Sequence, residues 1–299
     1  MKRLAALAAA TTLMAALAGC ASDDDATETS PTASREAERI VPLNGDIAEI
    51  VYALGLGDEV VGTDVSATYP AEVEEKPRIG YQRQLAAEGI LALQPTVVIG
   101  TEEAGPPEVI EQLRAAGPEV TILPVDPAVE AVPDKIRAVA EALGVEEAGE
   151  ELAAQTESSI ADAVALAGEA ASKPRVAFLY VRGPQTLMIG GAGSRADAMI
   201  AAAGGIDAGT ETGVQGFKPL TPEALAAAQP DVLLLLSAGL ESIGGTAGLA
   251  QLPGVAQTDA GKQGRVLAYD DLLLLGGGPR TGDALTELVK GLHPELATS

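Results

Sequence analysis

The chain has 299 residues, 47% of them apolar and only 2% aromatic, and carries a formal charge of −24. Such a length is comfortable for two hydrophobic cores, which here must be built from Ala, Leu, Val and Ile. The charge excludes a nucleic-acid binder, which needs basic surface to displace counterions, and the single Cys excludes an intrachain disulfide and Cys-based zinc or iron–sulfur centres.

The first twenty residues place two basic side chains ahead of an apolar segment too short to span a bilayer comfortably, and end in small residues. This pattern predicts an export signal over 1–20. Leu17-Ala18-Gly19-Cys20 resembles a bacterial lipobox, which implies cleavage before Cys20 and a diacylglycerol thioether on it. Acyl chains anchor through buried CH₂ groups, so an acidic protein needs no basic patch to stay on a membrane. Residues 21–38 hold Asp, Glu, Ser, Thr and Ala with almost nothing large and apolar, and read as a flexible acidic tether.

A lobe over 39–144 opens with a strand at Arg39–Leu43. A helical pattern follows through Ile47, Ile50, Val51 and Leu54. Further strands are expected at Glu59–Gly62, Thr96–Gly100 and Glu119–Val125, with a helix at Pro106–Gly117. Near-continuous apolar strands alternating with helices predict a parallel sheet covered on both faces. From Ala131 to Ala171 the chain is almost uninterrupted helix former, and a helix joining two lobes is expected over 145–172. Alternation resumes over 173–299, with strands at Arg175–Val181, Asp231–Ser237 and Arg265–Asp270. A helix lies at Arg195–Ala203 and a closing one at Thr281–Leu292. The apolar run Asp271–Gly278 suits a buried parallel strand or core segment, and His293, the only His, reads as exposed beyond the last helix.

The segment LAAEGILALQPTVVI (Leu85–Ile99) aligns without gaps on LTPEALAAAQPDVLLL (Leu220–Leu235), each with Leu-x-x-Glu, an apolar helix, Gln-Pro and a strand. The fold class that follows is α/β, two lobes, each a parallel sheet with flanking helices, joined by a long rigid helix. A ligand belongs in the crevice outside the carboxyl ends of the strands.

This order of lipobox, acidic tether, lobe, long helix and second lobe resembles the substrate-binding lipoproteins of ABC importers. Within them it resembles the helix-linked class that takes up haem, ferric siderophores and cobalamin. GYQRQLAAEGILAL, MIGGAGSRADAMIAAAGG, GFKPLTPEALAAAQPDVLLL and GGGPRTGDAL resemble the haem branch. The resemblance implies a monomeric binder, not an enzyme, that carries haem to an ABC permease. It is held to the outer face of the cytoplasmic membrane through Cys20. A ferric siderophore or cobalamin is the alternative cargo. An exported two-domain enzyme is the distant alternative, since no acid–base set can be assembled around His293.

In such proteins a Tyr ahead of the Leu-x-x-Glu helix commonly binds the haem iron; here it is Tyr81. A phenolate is a hard anionic ligand for ferric iron. A free phenol ionises only near pH ~10, so a nearby cation helps. Arg83 lies two positions on, and in an extended segment i and i+2 share a face. Met188 and Tyr180, weighed as a second axial ligand, read as core, leaving five-coordinate iron on Tyr81 alone. Haem propionates call for cations, and the candidates are Arg182, Lys218 and Arg280; Met188 and Phe217 could contact the porphyrin. The resemblance makes Glu88 and Glu223, the matched acids of the repeat, docking points for permease arginines. Thr221-Pro222-Glu223 equally fits a helix start. Gly191-Ala-Gly193-Ser-Arg-Ala196 imitates a dinucleotide fingerprint, but Glu211 stands in a Gly-rich loop where a strand end is required. Ser194 with Asp197 fits a capping box.

Overall fold

The computed structural model describes residues 38–298. The export signal, Cys20 and the tether up to residue 37 lie outside the described residues. The uncharged runs β1 (Ile40–Pro42) and β2 (Val97–Thr101) are buried along their whole length, as strands covered on both faces must be. With β3 (Glu119–Leu123) they form a parallel sheet in the order β1-β2-β3. Helix α1 (Gly45–Ala53) follows β1, α2 (Ala87–Leu91) leads into β2, and α3 (Pro107–Ala116) returns the chain to β3. The strand expected at Glu59–Gly62 is not formed: Gly57–Glu59 is a 3₁₀ turn, and Val60 alone bridges to Ile40.

Gly144, with φ +62°, breaks the long helical run into α4 (Val132–Ala142) and α5 (Glu146–Ala167). The 22 residues of α5 extend ~33 Å. It packs on α4 and on the C-terminal helix Thr281–Leu292. Small inward residues, among them Gly149, Ala153 and Ala163, allow that approach; a Cβ on Gly149 would sit 2.2 Å from the Ala140 Cβ.

The second sheet is built from β4 (Arg175–Arg182), β5 (Thr186–Gly190), β6 (Ile206–Asp207), β7 (Phe217–Pro219), β8 (Val232–Leu236) and β9 (Val266–Tyr269). Its order is β7-β5-β4-β8-β9, with β6 also paired to β4. The α/β two-lobe class stands, but this sheet is mixed rather than wholly parallel. β4, β6, β8 and β9 run parallel, whereas β5 and β7 are antiparallel additions. The cause is local: residues 183–185 are too few for a crossover and allow only a hairpin. Around the sheet lie α6 (Arg195–Ala202), α7 (Ala208–Glu211) and α8 (Pro222–Ala228). Asp271–Leu275 is helical, not a strand, because the Asp270 side chain accepts the Leu273 N–H at 2.9 Å and caps it.

One hydrophobic cluster runs through both lobes. It joins Ile47 and Ile50 of α1, Ile136 of α4, Ile160 of α5, Phe178 and Leu234 of the second sheet, and Leu285 of the C-terminal helix. Separate clusters cover the remaining faces of the two sheets. The internal repeat is structural: α2 with β2 corresponds to α8 with β8. Gln94 (φ +49°) and Gln229 (φ +42°) are the only non-Gly residues with positive φ among the described residues, at matched places where a short helix hands over to Pro. A left-handed Gln costs ~1–2 kcal/mol, so the same turn is imposed twice against local preference.

Asp207 caps α7, its Oδ1 accepting the Thr210 N–H at 2.9 Å, while its buried Oδ2 has no partner. Burial pushes this carboxyl up to about 6, against the pull of the Thr210 N–H. The folded state therefore holds this proton more tightly than the unfolded chain, whose value is ~3.9. The contribution is full below pH ~4 and is lost as pH rises through about 6. Asp207→Asn keeps the cap and should remove this loss. In urea titrations at pH 4 and pH 7, the stability difference between variant and wild type should move by about 2 kcal/mol in the variant's favour at pH 7. No change in that difference would contradict the assignment.

Candidate functional site

The carboxyl ends of β1 and β2 carry the loop that holds Tyr81. Asn44, after β1, is buried; its Oδ1 accepts the Thr101 N–H at 2.8 Å and its Nδ2 donates to Gln82. Gly105 N–H donates to Gln82 O at 2.8 Å, and Leu85 N–H donates to Gly105 O at 2.9 Å. On the other side Val65 N–H donates to Gly80 O at 2.9 Å, so the loop is pinned on both sides of Tyr81, which stays 42% exposed. Only Tyr81 itself is extended; Gln82–Gln84 form a 3₁₀ turn, so Arg83 does not follow the strand-like alternation expected of it. The turn nevertheless brings its guanidinium beside the Tyr81 hydroxyl and into an ion pair with Glu103. Partial burial works against the Arg83 charge, but Glu103 and the Tyr81 oxygen together hold it above its ordinary value.

A second Tyr-x-Arg, Tyr180-Val181-Arg182, ends β4 in the other lobe. The Arg182 guanidinium lies 4.6 Å from the Tyr180 ring centre and pairs with Asp271, so its fork is occupied rather than open to a propionate. Strand alternation puts Phe178, Tyr180 and Arg182 on one face. Cross-strand pairing adds Met188, opposite Tyr180, and Phe217, opposite Gly190. Phe217 is 39% exposed and meets Tyr180 and Phe178 edge-on at 5.8 and 6.2 Å. Lys218 stands opposite Ile189 and therefore faces the other side of the sheet, away from this aromatic wall. Tyr180 was legible as part of a repeated Tyr-x-Arg; its place on an apolar strand had marked it as core.

Where the lobes meet, the stretch Gly276-Gly277-Gly278-Pro279-Arg280 receives three N-terminal-lobe contacts. Lys135 of α4 pairs with Asp46 at 2.6 Å and donates to Gly276 O at 3.2 Å. Arg280 grips Glu49 of α1 with Nε at 3.0 Å and Nη2 at 2.8 Å, and its guanidinium lies 3.6 Å from the Tyr69 ring centre. Glu49 is 3% exposed. A Cβ on Gly278 would fall 2.9 Å from the Glu49 carboxyl carbon, so only Gly allows the approach. Burial opposes the Arg280 charge, yet Glu49 holds it above its ordinary value. Arg280, expected to meet a propionate, is instead an inter-lobe clasp. A depression of about 710 Å³ lies beside it, lined by Asp58, Glu72, Glu75 and Tyr69; Tyr81 does not border it.

Glu88 and Glu223 are both exposed in the first turns of α2 and α8, without an ion-pair partner among the described residues. Thr221 caps α8, its hydroxyl accepting the Ala224 N–H at 3.1 Å. The Ser194–Asp197 cap forms as well, with Ser194 Oγ accepting the Asp197 N–H at 3.1 Å. His293 is buried, not exposed; its Nε2 bonds Ala203 O at 3.1 Å, because the last helix packs that end against the loop after α6. Among the described residues no group of three His, Cys, Asp or Glu could hold a metal ion, and no helix is long and apolar enough to cross a membrane.

A family model described as periplasmic binding protein matches residues 40–272. The solved periplasmic heme-binding protein RhuT from Roseiflexus sp. RS-1, in apo form, is 55% identical with a TM-score of 0.85, over 87% of this chain and 99% of that one. An ABC transporter substrate-binding lipoprotein of Bacillus subtilis (strain 168), YvrC, is 27% identical over 277 residues, 91% of this chain and 85% of its own. The cobalamin-binding protein of Halobacterium salinarum (strain ATCC 29341 / DSM 671 / R1) is 26% identical over 285 residues, 91% of this chain and 73% of its own.

Removing one partner of a buried ion pair leaves the other charge uncompensated. Glu49→Gln should lower unfolding free energy by about 2 kcal/mol in urea denaturation, allowing for the partial exposure of Arg280. A loss below ~0.5 kcal/mol, the range of ordinary surface changes, would show that the clasp contributes little.

Proposed function

Because the chain belongs to the periplasmic binding protein family, we propose that it captures haem between its lobes outside the cytoplasm and delivers it to an ABC permease. The observation that carries this reading is Tyr81, an exposed phenol on a pinned loop with a guanidinium beside it. The likeness to a heme-binding protein at 55% identity supports it. Tyr81 supplies the oxygen for ferric iron, and the Arg83 guanidinium stands beside that oxygen. Phe217, Met188 and Tyr180 offer the apolar and aromatic wall for the porphyrin face. Of the expected propionate partners, Arg182 is already paired with Asp271 and Arg280 with Glu49.

The protein acts as a carrier, with ATP hydrolysis elsewhere driving release. Glu88 and Glu223, exposed in corresponding first turns, dock on the permease. The core shared by both lobes keeps their spacing nearly fixed. Export through residues 1–20, anchoring at Cys20, a tether over 21–38, lobes over 39–144 and 173–299 and a monomeric state complete the proposal.

Two features favour second readings. The repeated Tyr-x-Arg makes Tyr180 an alternative iron ligand from the opposite wall. The Halobacterium relative makes cobalamin an alternative cargo.

Titration of hemin into the purified protein, followed by visible absorption, tests all three. Wild type should develop an iron–tyrosinate band, and Tyr81→Phe should lose it and weaken binding at least about tenfold, or ~1.4 kcal/mol. Loss of the band in Tyr180→Phe but not in Tyr81→Phe would move the iron to the other wall. Tighter binding of cyanocobalamin than of hemin would overturn the haem reading.

A further inference from the structure

We propose that Arg195 is the anchor for a carboxylate on the rim of the bound macrocycle, and so selects a dicarboxylate porphyrin over a neutral, amide-fringed corrin. The proposal rests on the haem reading and deepens it. Three cations cross between the lobes among the described residues: Lys135, Arg280 and Arg195. Lys135 has Asp46 and Arg280 has Glu49. Among the described residues Arg195 has no carboxylate within ion-pair distance. Its Nη1 donates to Ala128 O and its Nη2 to Asp126 O, both at 2.9 Å, and these backbone carbonyls fix the plane of the guanidinium without neutralising it. A guanidinium carries five N–H donors in a flat fork, so three remain for a ligand, in the arrangement that a carboxylate accepts.

The position suits that task. Arg195 opens α6 of the C-terminal lobe and reaches the N-terminal-lobe segment that follows β3, on the carboxyl side of the first sheet. Gly277 lies over it: a Cβ there would stand 2.7 Å from Nη2, so any side chain would displace the guanidinium. Burial pulls the Arg195 guanidinium below its ordinary value, against Asp46, Asp126 and Glu103. Glu103 is also the partner of Arg83, which stands beside Tyr81. One carboxylate is thus felt by both the iron-side cation and Arg195. The proposal puts one propionate arm of a porphyrin held by Tyr81 at this guanidinium. The other cations first considered for that contact are paired, as Arg182 and Arg280 are, or turned to the far face of the sheet, as Lys218 is. A half-buried cation with no carboxylate in direct contact favours an anionic ligand over one that brings only neutral amides.

The test compares hemin with hemin dimethyl ester, whose carboxylates are blocked, on wild type and Arg195→Gln. Wild type should bind the ester at least about tenfold more weakly than hemin. In Arg195→Gln that preference should shrink about tenfold, while the iron–tyrosinate band with hemin persists. An unchanged preference in the variant, with hemin still bound, overturns the role of Arg195 and leaves the haem reading intact. No hemin binding by wild type overturns the haem reading and this inference with it. Arg195 also braces the two lobes, so a thermal melt checks folding. If Arg195→Gln is unfolded, Arg195→Lys takes its place: it keeps the charge but loses the fork, and a preference reduced at least about threefold is expected. Full preference in a folded Arg195→Lys would refute the bidentate contact.

Discussion

The carboxylate of Glu49 sits on α1 with almost no access to water, and the cation it requires comes from Arg280, 231 residues later. A buried charge left alone is costly, so the two lobes are obliged to meet at this point whenever the chain is folded. The approach is possible because Gly278 has no side chain to collide with the carboxylate. Lys135 and Arg195 add polar contacts on either side, and a single hydrophobic cluster continues beneath. The clasp and the shared cluster tie the two lobes together beneath the gap between them. A fixed separation of Glu88 and Glu223 is what the proposed docking on a permease requires.

A chain with five Tyr and two Phe must spend them sparingly. Phe178, Tyr180 and Phe217 gather on one face of the second sheet, Tyr69 lies under Arg280, and Tyr81 stands exposed on its loop. Aliphatic residues make up nearly all of both cores, with Phe178 buried among them, while Tyr69, Tyr81 and Phe217 stay exposed. Exposed rings in an otherwise aliphatic protein suit the flat ligand proposed above.

Much of the architecture could be read in the sequence because periodicity and repetition are local signals. The parallel strands at Val97 and Val232, the Gln-Pro handover and the caps at Thr221 and Ser194 all depend on residues within a few positions of one another. Contacts between distant residues were not legible. Arg280 looked like a free loop cation because Glu49 is remote in sequence. Arg182 was unpaired until the chain returned with Asp271, and His293 looked exposed until the loop after α6 covered it. The run Asp271–Leu275 misled for a different reason: five apolar and acidic residues do not distinguish strand from helix, and the Asp270 cap decides it. The antiparallel limb of the second sheet followed from a loop too short for a crossover, a feature overlooked beside the dominant alternation.

The most direct measurement is a crystal structure of the protein with hemin. Iron bonded to the Tyr81 oxygen, with Arg83 beside that bond and the Glu49–Arg280 clasp unchanged, is the expected result. A porphyrin bound outside the gap between the lobes, or inside it with Tyr81 turned away from the metal, would contradict it.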